Sequence, residues 1–310
     1  MSAAIAIEGL TKRYRAGLRM RTVNAVASAS FEVKRGEVFG FVGPNGAGKT
    51  TTIRAILGLI RPTSGSITVL GTRMPDRAVR AKIGFLPESP YFYDYLSARE
   101  LVDLAGRLAG LGRAERRRRG DVLLERVGLA RDADRPMRKY SKGMLQRAGL
   151  AQALVHEPEV VILDEPMSGL DPVGRKDVRD LILELRDAGR TVFFSTHIIP
   201  DVEAICDRVG FIVGGRVVDV GPVADLLGAK VLGTDVVLRA DDAALAALPL
   251  TGERTRRVGD LVTVALGADA DVGGFLRVAA AQTMIVSVTP RKESLEELFL
   301  RWTTSEEKSA

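Results

Sequence analysis

The fold of this 310-residue chain is decided by the stretch Val38-Phe39-Gly40-Phe41-Val42-Gly43-Pro44-Asn45-Gly46-Ala47-Gly48-Lys49-Thr50-Thr51. Its first five residues form a short apolar run, which is typical of a buried strand. From Lys49 to about Leu59 the sequence has a helical pattern. The residues between fit G-x-x-x-x-G-K-[ST], a pattern that requires a strand before it and a helix after it. The sequence therefore predicts a phosphate-binding loop.

Backbone chemistry explains why such a loop suits phosphate. Glycines allow a tight turn, so that successive N–H groups point at phosphate oxygens, and the helix N-terminus adds roughly half a positive charge. We expect Lys49 to reach the β- and γ-phosphates and the Thr50 hydroxyl to ligate Mg²⁺. The alternative, a glycine-rich turn that binds nothing, is disfavoured by the flanking strand and helix. The expected nucleotide-binding residues are Gly43, Pro44, Asn45, Gly46, Ala47, Gly48, Lys49, Thr50 and Thr51.

Two acids follow another buried-strand pattern, Val160-Val161-Ile162-Leu163. Asp164 is placed to hold Mg²⁺, directly or through water, and Glu165 to polarise the attacking water. Taken alone, an apolar run that ends in Asp-Glu is often only a strand leaving the core. Together with the phosphate-binding loop, the pair favours the functional interpretation.

Strand patterns and helical patterns alternate over most of the chain. Ser66 to Leu70 and Thr191 to Thr196 resemble strands, whereas Val173 to Ala188 resembles an amphipathic helix. The charged stretch from Ser97 to Leu154 is helical in pattern. This alternation predicts an α/β fold with a parallel sheet and helices on both faces.

The composition of the chain changes after about Leu227. Gly228 to Lys230 and Gly233-Thr234 have the composition of a linker. Asp235 to Thr289 mixes alternating strands with Ala-rich helix, and Ser294 to Trp302 predicts a short closing helix. We therefore expect a small C-terminal α/β module.

Composition excludes several classes of protein. The chain is 46% hydrophobic and 27% charged, which rules out disorder, collagen and a disulfide scaffold. Cys206 is its single cysteine, and no apolar run approaches the ~18–20 residues that span a bilayer. We therefore expect a soluble, cytosolic protein. The net charge of +6 is mild, and Arg116 to Arg119 indicate a solvated helix face more than a binding patch.

Six motifs, in their order along the chain, resemble those of an ABC-type ATP-binding subunit. Besides the phosphate-binding loop and the acidic strand, the matching segments are Ile83 to Glu88, Tyr140 to Arg147, Ser168 to Asp171 and Ser195 to His197. The resemblance covers residues 1 to about 225 and implies binding of ATP and Mg²⁺. It implies a P-loop NTPase with a RecA-like core, an antiparallel β subdomain and a helical subdomain at about 89–157. We expect this domain to span 1–228 and an accessory domain to span 229–310.

The resemblance also assigns roles to residues outside the loop. Tyr14 sits where the family stacks an aromatic ring on adenine, and His197 would contact the γ-phosphate and hold Glu165 in place. Glu88 replaces the usual Gln in a position that serves catalysis and Mg²⁺. Ser141 and Gly143 would face the nucleotide of a second copy in a head-to-tail dimer. Asp171, in the segment that resembles the family's Asp-containing loop, is also expected to bind nucleotide.

The signature segment carries Tyr140, Lys142 and Met144 where the family pattern has Leu, Gly and Gln, and these variants resemble the exporter branch. The implied partners are a second copy of the chain and integral membrane permease subunits, at the cytoplasmic face of the membrane. The aromatic cluster at Tyr91, Phe92, Tyr93 and Tyr95 is either a socket for a partner helix or a packed turn.

Two other functions remain open from the sequence. One is an ABC-type ATPase that acts on nucleic acid or ribosomes, but relatives of that kind carry two nucleotide modules or long coiled coils, and we expect no nucleic-acid partner. The other is a small-molecule kinase, which would not need the segment from Ser141 to Arg147 or a switch histidine at His197.

Overall fold

The computed structural model describes residues 3–16, 21–227, 231–250, 254–292 and 294–307. The chain divides into two compact units. The first consists of Met1–Val223 and Trp302–Ala310, and the second of Ala224–Arg301. Among the described residues, no helix combines the length and the hydropathy needed to cross a membrane.

The first unit contains ten strands among its described residues. They are β1 (Ala3–Ala16), β2 (Arg21–Lys34), β3 (Val38–Val42), β4 (Ser64–Val69), β5 (Thr72–Arg73), β6 (Ile83–Leu86), β7 (Val160–Asp164), β8 (Thr191–Thr196), β9 (Arg208–Val213) and β10 (Arg216–Pro222). The helices before residue 206 are α1 (Lys49–Ile56), α2 (Arg77–Arg80), α3 (Ala98–Leu108), α4 (Arg113–Arg126), α5 (Lys142–Leu154), α6 (Pro172–Asp187) and α7 (Ile199–Ile205). Two 3₁₀ turns lie at Ala130–Asp132 and Met137–Lys139.

A six-stranded sheet in the order β10-β9-β3-β8-β7-β6 positions the site. All of its neighbouring strands are parallel except the β9–β10 pair. In its register, Val42 pairs with Thr196, and Asp164 pairs with Ser195. The loops that follow β3, β6, β7 and β8 therefore leave the sheet at the same edge, where ligands of open parallel sheets bind.

Aromatic side chains hold this sheet against a second one, the four-stranded sheet β2-β1-β4-β5. Phe31 of β2 stacks on Phe39 and Phe41 of β3, with ring centroids 5.6 and 5.2 Å apart, and on Phe193 of β8 at 6.3 Å. Ile53 of α1 belongs to the same buried cluster. One face of the parallel sheet is thus covered by α1 together with the second sheet.

Helix α7 packs on the opposite face of β3, at Gly40. A Cβ atom on Gly40 would lie 2.8 Å from Cys206 Sγ and 3.3 Å from the Val202 side chain. Successive side chains of a strand point to opposite faces, so Gly40 faces α7 while Phe39 and Phe41 face the other core. A glycine here lets a helix approach the strand closely. Cys206 is a half-buried packing residue at this contact.

The second unit is built around an antiparallel sheet with the order β12-β13-β11-β14. Its elements are β11 (Val231–Arg239), α9 (Asp242–Ala246), β12 (Arg254–Val258), β13 (Leu261–Gly267), α10 (Val272–Gln282) and β14 (Met284–Lys292). The helices α8 (Val223–Leu226) and α11 (Leu295–Glu307) lie at the boundaries of the division. The buried cluster of the second unit includes Val236, Leu238, Val262, Val264 and Phe275.

Two predictions need correction. Helix α1 ends at Ile56 rather than near Leu59, because Gly58 turns the chain with a φ of 66°. Gly233-Thr234 is not a linker but part of β11, where Gly233 pairs with Gly267. Gly233 has a φ of 149°, and a Cβ there would collide with the Leu266 carbonyl oxygen, so close strand approach requires the glycine. The other predicted linker, residues 228–230, lies outside the described residues.

The aromatic stack predicts a large stability effect at one position. Phe31 is 7% exposed, so we expect Phe31→Ala to lower the free energy of unfolding by about 3–5 kcal/mol, since it leaves a cavity between the two sheets. Tyr91→Ala, at a side chain that is 98% exposed, is the control and should change it by no more than about 0.5 kcal/mol. Chemical denaturation measures both. Equal effects of the two variants would contradict the role of the stack.

Candidate nucleotide-binding site

The phosphate-binding loop joins β3 to α1 and depends on close backbone contacts. Gly48 caps α1 in the left-handed conformation with a φ of 108°, and a Cβ on it would collide with the Ala25 carbonyl oxygen. A Cβ on Gly43 would collide with the Ile212 carbonyl oxygen. Gly46 also has a positive φ, 81°, but it has open space around its Cβ position. The two outer glycines are therefore required by space and Gly46 by conformation alone.

Lys49 is held below this loop with only 6% of its surface exposed. Its Nζ donates to the carbonyl oxygen of Gly43 at 2.7 Å and to that of Pro44 at 3.3 Å. The same atom lies 3.1 Å from Glu165 Oε1. A buried ammonium needs partners, because an unpaired buried charge is expensive. These oxygens stabilise the cation where the predicted phosphates would bind.

The end of β7 is connected to β8 through the Ser195 hydroxyl. This hydroxyl donates to Asp164 Oδ1 at 2.6 Å and accepts a hydrogen bond from the Glu165 N–H at 3.0 Å. Asp164 is 1% exposed. Glu165 has a positive φ of 50°, a strained backbone for a non-glycine residue. This left-handed conformation turns the chain sharply at the edge of the sheet, and the Glu165 side chain lies next to Lys49 of the phosphate-binding loop.

The Glu165 carboxylate lies between a lysine and a histidine. Its Oε2 is 3.0 Å from His197 Nδ1, while its Oε1, buried and 3.1 Å from Lys49 Nζ, has no partner with hydrogen-bond geometry. The His197 side chain is 46% exposed and so can meet a ligand. The chain Lys49–Glu165–His197 thus connects the phosphate-binding loop to the end of β8.

A cavity of about 260 Å³ opens on this chain of side chains. It collects residues from three different loops, because Glu88 follows β6, Glu165 follows β7 and the glycine-rich loop follows β3. Its lining residues are Ala25, Pro44, Asn45, Gly46, Gly48, Lys49, Thr50, Thr51, Glu88 and Glu165. The structure therefore brings together most of the predicted loop and both glutamates.

The other predicted site residues do not line this cavity. Tyr14 lies in β1 opposite Val23, 38% exposed, with Lys12 Nζ 5.0 Å from its ring centroid. Ser141 is exposed and caps α5, where its Oγ accepts from the Met144 N–H at 3.3 Å. Asp171, also exposed, caps α6 by accepting from the Gly174 N–H at 2.9 Å.

Ser141 and Asp171 nevertheless lie on neighbouring segments of one surface. A Cβ on Gly143 would lie 3.2 Å from the Leu170 side chain, and Lys142 covers Gly169. The buried Gln146 binds the two segments together, because its Nε2 donates to the Pro166 carbonyl oxygen at 3.1 Å.

Three contributors were missed from the sequence: the Ser195 hydroxyl, Gln146 and Ala25. The sequence marks Ser195 only as part of a motif, and its contact with Asp164 follows from the β7–β8 pairing, which no local pattern encodes. Gln146 is a polar residue in a helix that is largely buried, which is a usable signal. Ala25 contributes through backbone approach and carries no chemical signal.

Comparison with known proteins identifies the family to which this site belongs. The family model described as ABC transporter matches residues 26–168. The daunorubicin resistance ATP-binding protein DrrA3 of Streptomyces coeruleorubidus is 39% identical over 311 residues, which cover 97% of this chain and 96% of that protein. This chain belongs to the ABC transporter ATP-binding family. As a member, it is an ATP-binding, ATP-hydrolysing subunit with the P-loop NTPase fold, as predicted.

Two further similarities are informative. An uncharacterized ABC transporter ATP-binding protein, sll0415 of Synechocystis, is 47% identical over 236 residues, or 75% of this ABC chain, and the match spans just 66% of that relative's length. A dimeric structure of the ATP-binding cassette MJ0796, in a post-hydrolysis state bound to ADP and Pi, superposes with a TM-score of 0.66 at 26% identity. It covers 70% of this chain and 98% of that one. These descriptions do not favour the alternative of action on nucleic acid or ribosomes.

The glycine contacts predict unequal effects of two similar substitutions. We expect Gly48→Ala to lose nucleotide binding, with affinity lower by at least about tenfold, because the loop must move away from Ala25. Gly46→Ala carries only the conformational strain of its positive φ, so its affinity should fall less. Equilibrium titration with a fluorescent ATP analogue measures both affinities. A larger loss for Gly46→Ala than for Gly48→Ala would contradict the account of the loop.

Proposed function

We propose that this chain drives export across a membrane by clamping ATP between two copies of itself and hydrolysing it. The observation that carries the proposal is the contact of the buried Lys49 and Glu165 with each other and of Glu165 with the exposed His197, beside the phosphate-binding loop. A cation, a carboxylate and a histidine placed in this way supply phosphate binding, a group that polarises water and a group that orients it.

In the first step of the proposed mechanism, Lys49 exchanges its protein partners for phosphate oxygens. Lys49 Nζ gives up contacts with Gly43, Pro44 and Glu165 and takes the β- and γ-phosphates of ATP. Its departure frees Glu165 Oε1, an atom with no hydrogen bond here, to accept from the attacking water. His197 Nδ1 holds the other carboxylate oxygen, so the carboxylate keeps its orientation as its first partner leaves. Substrate phosphate thus switches the carboxylate from structural partner to general base.

Three oxygen-bearing side chains fit Mg²⁺. Thr50 and Glu88 line the cavity, and Asp164 lies directly before Glu165 with one oxygen bonded to Ser195. Mg²⁺ commonly takes one or two carboxylates with phosphate oxygens and keeps several waters, so this donor set suits it. Bound there with ATP, Mg²⁺ would neutralise charge that develops on the phosphates. Tyr14 would supply a stacking platform for adenine, worth ~1–3 kcal/mol where base stacking has been measured.

A second copy would complete the site. Ser141 and Asp171 are exposed, share one surface and do not line the cavity of their own chain, and Gly143 lies on the same surface. The MJ0796 cassette was solved as a dimer with ADP and Pi. We infer that Ser141, Gly143 and Asp171 contact the nucleotide held by the other copy, so that ATP joins the two and hydrolysis releases them.

The membrane partner would meet the aromatic cluster that follows β6. Tyr91, Tyr93 and Tyr95 are 98%, 62% and 66% exposed, and exposed aromatic side chains at such density favour an interface.

The daunorubicin resistance relative supports drug-like cargo and export. We therefore place the chain at the cytoplasmic face of a membrane, bound to permease subunits, with residues 1–228 as the ATPase and 229–310 as the accessory domain.

The mechanism predicts separate effects on binding and turnover. Glu165→Gln should bind ATP with near-native affinity but lower kcat by at least about 100-fold, because an amide cannot accept a proton from water. Lys49→Ala, the control, should lose nucleotide binding itself. Steady-state phosphate release and ATP titration distinguish the two. Normal turnover of Glu165→Gln would remove Glu165 from its proposed role.

The cross-subunit contact predicts a variant that binds without dimerising. Ser141→Arg should leave ATP binding by the monomer intact and abolish ATP-driven dimers of the Glu165→Gln chain, since a bulky cation would stand at the γ-phosphate of the other copy. Ala109→Arg, at an exposed position on the same helical region, should dimerise normally. Light scattering with and without ATP measures this. Persistent dimers of the Ser141→Arg chain would contradict the shared site.

A further inference from the structure

Asp201 is a buried carboxylate outside the nucleotide site. It lies in the first turn of α7, shortly after His197, and is only 3% exposed. Its Oδ2 is buried and has no hydrogen-bond partner. Native proteins seldom leave a buried polar atom unpaired, so such an atom requires a reason.

Two arginines of α6 share a cavity with this carboxylate. The cavity has a volume of about 480 Å³ and is lined by Arg175, Arg179 and Asp201, with Pro172 and Ile198 beside them. Arg175 and Arg179 are one helical turn apart and lie on the same face of α6. Among the described residues, neither guanidinium forms an ion pair with a carboxylate. An anion and two cations thus face one cavity without contact.

The charges around Asp201 agree with this geometry. Burial raises the pKa of Asp201, the positive charges of Arg175 and Arg179 oppose the rise, Glu165 adds to it and His197 opposes it. Charges on α6 and charges of the Glu165–His197 pair therefore both act on the Asp201 carboxylate. Because an unpaired buried carboxylate lowers stability, its presence here indicates a functional reason rather than a stabilising one.

The two helices begin at the two segments that the reaction has to coordinate. Helix α6 begins after Asp171, at the surface proposed to meet the second copy, and α7 begins after His197, which holds Glu165. The Ser168 N–H also donates to the Glu165 carbonyl oxygen at 3.1 Å. A bond between α6 and α7 would therefore fix the partner-facing segment relative to the catalytic histidine.

We propose that Asp201 is a positioning residue for ATP hydrolysis, which pairs with Arg175 and Arg179 in the hydrolysis-competent state and so couples the Ser168–Asp171 segment to His197. The inference rests on the proposed roles of His197 and Asp171. In this structure neither arginine is within ion-pair distance of Asp201, although all three line the same cavity. The pair then keeps the His197–Glu165 contact, which is already 3.0 Å long here, in place while the second copy occupies the Asp171 surface.

Activity and stability are expected to change in opposite senses. Asp201→Asn keeps the shape and removes the charge, so we expect kcat of the full-length chain to fall about tenfold with KM for ATP within about twofold. Its melting temperature should stay equal or rise. Asp201→Glu should retain most of kcat because it keeps the carboxylate. Glu203→Gln and Lys176→Ala, at exposed positions on α7 and α6, are controls that should match the wild type.

A double-mutant cycle distinguishes coupling from packing. Arg175→Ala combined with Arg179→Ala should lower kcat as Asp201→Asn does, and adding Asp201→Asn should lower it little further. Wild-type kcat in Asp201→Asn, fully multiplicative losses, or kcat that falls only in proportion to a lower melting temperature would each overturn the inference. Such a result would leave the proposed hydrolysis intact if Glu165→Gln were still inactive, whereas an active Glu165→Gln chain would refute the proposed function itself.

Discussion

Lys49 places a buried positive charge where the phosphate-binding loop meets the end of the acidic strand, next to the carboxylate that contacts His197. Two carbonyl oxygens and the Glu165 carboxylate hold the ammonium here. Such a charge is tolerated only with compensating oxygens nearby. In the proposed mechanism the arrangement has a second form, in which phosphate oxygens replace these protein oxygens around Lys49. The exchange between them connects nucleotide binding to the state of Glu165.

The sheet makes that exchange geometrically possible. Parallel pairing of β3, β8 and β7 brings Val42, Thr196 and Asp164 to one edge, so three loops that are distant in sequence meet over a few ångströms. The aromatic stack of Phe31 on Phe39 and Phe41 fixes the strand that carries the loop. The Ser195 hydroxyl then fixes the β7 end against the β8 end.

Local chemistry made the loop, the acidic strand and the alternation of strands and helices predictable, because glycine spacing and apolar runs depend on neighbouring residues. Register and strand order are set by packing at long range, so the Ser195 contact and the Lys49–Glu165 pair were not predictable from the sequence. Gly233 shows that a local pattern can also mislead. The Gly233-Thr234 pair resembles a linker, but the glycine is needed because β11 and β13 approach closely there. The unpaired Asp201 oxygen is likewise visible only in three dimensions, because the sequence does not show whether a carboxylate oxygen is buried or has a hydrogen-bond partner.

The direct test of the central claim is a structure of the Glu165→Gln chain with ATP and Mg²⁺. We expect a head-to-tail pair in which Lys49 Nζ has left the Gly43 carbonyl oxygen for the phosphates and Ser141 of the second copy contacts the γ-phosphate. Nucleotide bound within a single copy, with Lys49 still on Gly43 and Ser141 facing solvent, would contradict it.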